Sequence, residues 1–169
     1  MHQLDETAAV LRSLCGVWDE EAVDELDHAL QSAARAVDDG ADDELVLAAA
    51  LHDVAHSPLL ELSTAHDAAA REWLRPRFGE RVAWLAGAHV AAKRYLAATE
   101  TDYAAALSET SVTSLHAQGG SGVDASWTEH PWWPDALRLR RYDDAAKDPA
   151  ARGLTVAQVL SVAERVATR

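Results

Sequence analysis

Apolar residues return at three- and four-residue steps along almost the whole chain, and that period restricts it to helices. Ala22, Leu26, Ala29, Ala33 and Val37 form one such stripe, which Gly40 ends. Asp42 or Asp43 can cap the next helix, predicted to run through ELVLAAALHDVAH until Pro58. A third is expected to open at Ser63 or Thr64 and stop near Pro76. A fourth is expected from about Glu80 to Ala98, with Val82, Leu85, Ala86, His89, Ala92 and Leu96 on one face. Asp102 to Gln118 reads as one or two helices, Asp135 to about Lys147 as another, and Thr155 caps the last. Gly119 to Pro134, rich in glycine, proline and tryptophan, reads as a long loop. SVTSL and LTVAQVL are too short to be convincing strands. An all-α, single-domain fold over residues 1–169 follows, long enough to bury a real core.

The charge balance narrows the partners. Asp and Glu number 28 against 15 Lys and Arg, a formal charge of −13. So acidic a surface repels polyphosphate backbones and anionic lipid, so neither nucleic acid nor a membrane is the expected partner. The longest apolar run, Leu45 to Leu51, is too short to span a bilayer, and no charged start resembles a signal peptide. Cytoplasmic is the expected location. Cys15 can form no internal disulfide and reads as an inert, half-buried thiol in LRSLCGVW. His2 is expected near a mobile terminus, and His116 and His130 on the surface or in a loop.

Five of the eight histidines fall between positions 28 and 89: His28, His52, His56, His66 and His89. One histidine on an apolar helix face is usually a hydrogen-bonded core residue. Five beside Asp53 are hard to satisfy in one small core unless a cation sits between them. Neutral imidazoles and carboxylates are what borderline divalent metals prefer. The adjacent His52-Asp53 pair leaves its helix in two directions from nearly one point, so the carboxylate can clamp one metal or bridge two. Histidine, then His-Asp, then a distant aspartate (His28, His52-Asp53, Asp143) is the pattern of the HD superfamily of helical metal enzymes. With His66 and His89 added there are ligands for two metals, Asp53 being shared.

DELDHALQSAARAVDDGADDELVLAAALHDVAH, HVAAKRYL, QGG and LRLRRYDDAAKDP together resemble the mixed-valent diiron oxygenases of that superfamily, relatives of inositol oxygenase. The resemblance runs from about Glu21 to Pro149 and implies an HD-type helical bundle. Members cleave the carbon–phosphorus bond of 1-hydroxyphosphonates with O2. By this resemblance the iron ligands fall on His28, His52, Asp53, His66, His89 and Asp143. Lys93, Ser111 and Gln118 would hold the phosphonate, His56 would contact substrate near the metals, and Glu21 would help close the site. The implied cofactors are two iron ions in a mixed-valent Fe(II)/Fe(III) pair, with O2 as co-substrate and a small phosphonate, an aminoalkyl one among the candidates, as partner. His52, Asp53 and His56 are the implied catalytic centre.

Part of this stands on the residues alone. Lys93 follows His89 by four residues, placing a cation beside the candidate metal site. The chain uses Lys only at 93 and 147, against thirteen Arg. The family pattern is broken in three places. Trp18 stands where the family has a tyrosine, and its indole has no oxygen to offer a metal; it is expected to pack in the core. The step from Asp53 to His66 is short at thirteen residues, and no proline follows QGG. Asp144 is expected to be a solvated carboxylate. Trp132-Trp133 is expected to plug the long loop; were it or Trp18 to line the pocket, a methylated ammonium could bind by cation–π attraction. The competing function is an HD phosphohydrolase in which two metals activate water against a phosphate ester.

Overall fold

The computed structural model describes residues 2–19, 22–61 and 65–169. It is all-α; no strand occurs among the described residues. Glu21, Ser63 and Thr64 lie outside them. The helices are α1 (His2–Ser13), α2 (Glu25–Asp38), α3 (Asp43–Leu51), α4 (His66–Gly87), α5 (His89–Thr99), α6 (Thr101–Ala106), α7 (Glu109–Ala117), α8 (Ala125–Thr128), α9 (Trp133–Ala145) and α10 (Val156–Ala167), with a 3-10 turn at Val54–His56.

The most apolar segment sits at the centre. Every residue of α3 from Leu45 to Leu51 is buried, and α2, α4, α9 and α10 pack around it. Burying an aliphatic side chain of this kind contributes about 1.5–3 kcal/mol relative to leaving it exposed. Asp42 starts α3 by accepting the Leu45 amide at 2.9 Å, and Asp24 starts α2 by accepting that of Asp27 at 2.9 Å. Thr155 and Gln158 form a reciprocal capping box at α10.

Three departures from the expected helices matter for the site. α3 stops at Leu51 instead of running toward Pro58, so His52 and Asp53 leave the helix as it unwinds. The break expected at Pro76 falls instead at Gly79 (φ 88°, ψ 175°), a conformation open to glycine and little else; Pro76 is carried inside α4. The helix expected from Glu80 to Ala98 is split at Ala88, and His89 opens a helix of its own. The long loop contains α8, and α9 begins at Trp133 with Pro134 in its first turn, where the missing N–H costs nothing.

The N-terminus differs most. His2 opens α1, whose Thr7, Ala8, Val10 and Leu11 are buried and which packs on α10. Trp18, expected in the core, is 64% exposed, and Cys15 is exposed as well. Both lie in the connection between α1 and α2, outside any apolar stripe. No helix among the described residues is long and apolar enough to cross a membrane.

After α9 the chain is tied back onto α2. Gln31 donates to the Asp148 carbonyl at 2.8 Å, and the Leu154 amide donates to that of Leu30 at 3.0 Å. The approach is so close that a Cβ on Gly153 would lie 2.6 Å from the Leu30 carbonyl carbon.

Candidate metal centre

The six residues assigned as ligands form two groups that share Asp53; His52 and Asp53 follow the last residue of α3, Asp143 lies in the last turn of α9, His66 and His89 open α4 and α5, and His28 lies in the first turn of α2. His28 Nε2 lies 3.1 Å from Asp143 Oδ1 and 3.5 Å from Asp53 Oδ2. His52 Nε2 lies 3.1 Å from Asp53 Oδ2 and 3.4 Å from Asp143 Oδ2. On the other side, His66 Nε2 and His89 Nε2 stand 3.1 Å apart, at 3.7 Å and 3.5 Å from Asp53 Oδ1. The Asp53 carboxylate thus turns one oxygen to each histidine pair. Donors about 2.1 Å from a common cation sit roughly 3–3.4 Å from one another, close to the spacing here.

The ring orientations suit cation binding. The other nitrogen, Nδ1, of His28, His52 and His89 lies 2.9, 2.8 and 2.5 Å from the carbonyls of Ala146, Ala49 and Ala86. A carbonyl accepts only, so each Nδ1 carries the proton and each Nε2 of a neutral ring presents a lone pair inward. His52 Nε2 is buried and, although Asp53 Oδ2 lies 3.1 Å away, makes no well-directed hydrogen bond, a deficit that a metal would satisfy.

The electrostatics point the same way. Burial opposes ionisation of Asp53, yet His52 and His28 hold its carboxyl well below the usual range. Burial likewise opposes ionisation of Asp143, but Arg140 and His52 hold it far down. The His28 ring, despite burial, is raised to about 10 by Asp143 and Asp53. His89, by contrast, is pushed down to about 4 by burial, with His52 and His66 adding to the effect. Two ionised carboxylates are therefore fixed in a buried place, and without a metal it is protonated imidazole that balances them.

Beside the centre is a cleft of about 50 Å³, lined by Asp53, His66 and His89, by His56 and Asp19, and by Lys93, Ser111, Ser114, Gln118, Arg140 and Asp143. Lys93, one turn after His89, is buried and donates to Ser114 Oγ at 2.7 Å; burial and Arg140 push it down to about 8. Ser111 is buried and accepts from Lys147 at 3.0 Å. Gln118 Oε1 is buried without a partner. His56 Nε2 is 3.8 Å from Asp53 and 3.9 Å from Asp19. A larger cleft of about 580 Å³, between Glu100, Tyr103, Ser108, Arg141 and Lys147, contains none of these histidines.

No family model matches the chain. Two named proteins do. It is 38% identical over 149 residues to the hydroxymethylphosphonate dioxygenase of Gimesia maris, covering 81% of this chain and 73% of that protein. It is 33% identical over 138 residues to the [1-hydroxy-2-(trimethylamino)ethyl]phosphonate dioxygenase (glycine-betaine-forming) of Leisingera caerulea, covering 75% and 70%. The chain belongs to the hydroxyphosphonate dioxygenase family.

Within this family member, sequence reasoning misses Arg140, which is 4% exposed. It binds Asp143 Oδ2 at 2.7 Å and reaches Asp144 through both Nε, at 3.1 Å, and a terminal nitrogen. Its signal was the spacing: Arg140, Asp143 and Asp144 stand at i, i+3 and i+4. Asp144 is consequently no solvated linker carboxylate; it anchors Arg140 and accepts from Tyr103 at 2.7 Å. Glu25, buried three residues before His28, is also missed.

The aromatic residues stay out of the dioxygenase cleft. Trp133 is buried, and Trp132 packs edge-on to Trp84 at 5.9 Å, as the plug reading expects. His130 lies in the connection between α8 and α9, as expected, and stacks on Trp84 at 4.1 Å. Neither that pair nor Trp18 is among the described residues lining the cleft, so the cation–π route to a methylated ammonium finds no ring there.

Proposed function

We propose that this protein is a diiron oxygenase that cleaves the carbon–phosphorus bond of a small 1-hydroxyphosphonate. The reaction balances as RCH(OH)–PO3H2 + O2 giving RCOOH + H3PO4, the substrate supplying the four electrons that reduce O2. The observation that carries the reading is the Asp53 carboxylate, one oxygen facing His28 and His52 and the other facing His66 and His89.

On this reading His28, His52, Asp53 and Asp143 hold one iron, and Asp53, His66 and His89 the other; the fit rests on the poorly bonded His52 Nε2 and the inward lone pairs. Bound iron, in a mixed-valent pair, supplies the redox chemistry that couples O2 to the substrate carbon. The protein's own part is positioning and charge. Lys93 and Arg140 give the cleft two cations against the phosphonate, and the Ser111 and Ser114 hydroxyls add hydrogen-bonding groups. The unpartnered Gln118 Oε1 can accept from the substrate hydroxyl or a protonated phosphonate oxygen. His56 and Asp19 line the approach. A cleft of about 50 Å³ favours a short substituent on C1. The surrounding helices exclude water, so these charges act at low dielectric. We take residues 1–169 as one HD-type metal-binding domain.

The test is phosphate release from hydroxymethylphosphonate by iron-loaded protein, followed with an oxygen electrode. Phosphate and O2 consumption in equal amounts support the proposal. Phosphate from a phosphate ester at an undiminished rate under strict anaerobiosis would replace it with the phosphohydrolase.

A further inference from the structure

Glu25 opens α2 and is 1% exposed, yet neither oxygen of its carboxyl has a hydrogen-bond partner. One of those oxygens lies within 4.8 Å of a donor atom on Asp53 and of one on His56. Leaving a buried carboxyl unpartnered is costly, and few native groups are left so. Burial, with the Asp53 charge beside it, pushes the group up to about 8. The His28 and His52 rings offset only part of that cost, which a leucine of similar size would avoid. Close as it is to Asp53 and His56, the carboxyl makes no hydrogen bond to either.

We propose that Glu25 is a positioning residue of the metal centre: an outer carboxylate that adds a negative charge against the cations held around Asp53. It acts through Asp53 and His56, without touching substrate. The inference rests on the metal-centre reading, because only bound cations would turn this buried charge from a liability into an attraction.

Native protein, Glu25→Gln and His52→Ala are stripped of metal, and each is titrated with Mn²⁺ by equilibrium dialysis. Thermal midpoints of the metal-free forms are recorded by circular dichroism. Glu25→Gln keeps the shape but removes the charge, exchanging one acceptor oxygen for an NH2 donor. It should bind Mn²⁺ about tenfold more weakly or worse, the scale of outer-shell losses at metal sites, while its metal-free midpoint equals or exceeds the native one. Native affinity in Glu25→Gln overturns the proposal and leaves the centre intact. So does a metal-free midpoint below native, the mark of a structural role. If native protein and His52→Ala bind Mn²⁺ alike, the metal-centre reading itself fails and this inference with it.

Discussion

Replacing Arg140 with methionine tests how the centre is held together. Arg140 and Asp143 are almost fully buried, with side-chain exposures of 4% and 6%, and their charged atoms stand 2.7 Å apart. At an effective dielectric of 20, two unit charges at that separation attract by about 6 kcal/mol before desolvation is subtracted. Methionine fills a similar volume, so packing changes little, but Asp143 and Asp144 both lose their cation. Breaking a buried pair from one side costs about 3–5 kcal/mol. For a chain of this length that is a fall in melting temperature of roughly 6–20 °C. Bound metal supplies Asp143 with a second cation, so the loss in metal-loaded protein should be clearly smaller. Thermal melts of native and Arg140→Met protein, each metal-free and metal-loaded, measure the four values. An equal fall in both forms would show that Asp143 does not face the metal. A metal-free fall under about 2 °C would mean that Arg140 is not what fixes the carboxylate.

Four further outcomes follow from the geometry. Asp53→Asn should lose metal from both halves of the centre, measured as metal content, because its two oxygens face different histidine pairs. Lys93→Ala should raise the KM for a hydroxyphosphonate roughly 10–100-fold, the worth of one charge-assisted hydrogen bond, with metal content unchanged; loss of metal would make Lys93 structural. Since burial pushes Lys93 down to about 8, its ammonium disappears as pH rises through that value. Substrate affinity should therefore fall above pH 8 in native protein and hold in Lys93→Arg, followed as KM against pH. Gly153→Ala should cost about 1–3 kcal/mol in denaturant melts, because its Cβ would press on the Leu30 backbone.

The helical class and the clustering of the candidate ligands were legible because both are local: a period of three to four, and residue types with few uses when buried together. The two histidine pairs fell where the HD pattern placed them. What the sequence hid was where helices stop. Pro76 looked like the terminator, but a proline's clash is with its own preceding turn, and α4 absorbs it; Gly79 supplies the φ that breaks the run. Nothing in GAHVAAK announces the split at Ala88, because alanine neither caps nor breaks a helix. Nothing singled Arg140 out among thirteen arginines, and only the fold reveals that two carboxylates seal it inside. Trp18 misled for the opposite reason. A tryptophan is usually buried, but this one lies in a connection with no apolar face around it.

Those helix ends set the orientation of the candidate ligands. The last carbonyls of a helix have no amide partner within it and carry the negative end of its dipole. Ala49 near the end of α3, Ala86 near the end of α4 and Ala146 just beyond α9 are such groups, and each faces the Nδ1 of a histidine. For His52 and His89 the acceptor lies three residues earlier in the chain, so the stop and the ligand form one local unit. A helix continuing through Ala88, as the apolar stripe suggested, would return the Ala86 carbonyl to a backbone amide. The His89 ring would then be free to turn its lone pair away from Asp53. The break at Ala88 therefore helps orient the candidate ligands, and so does the early stop of α3. Their effect is to fix one tautomer on each ring, with a slightly negative neighbour that raises the basicity of the opposite nitrogen.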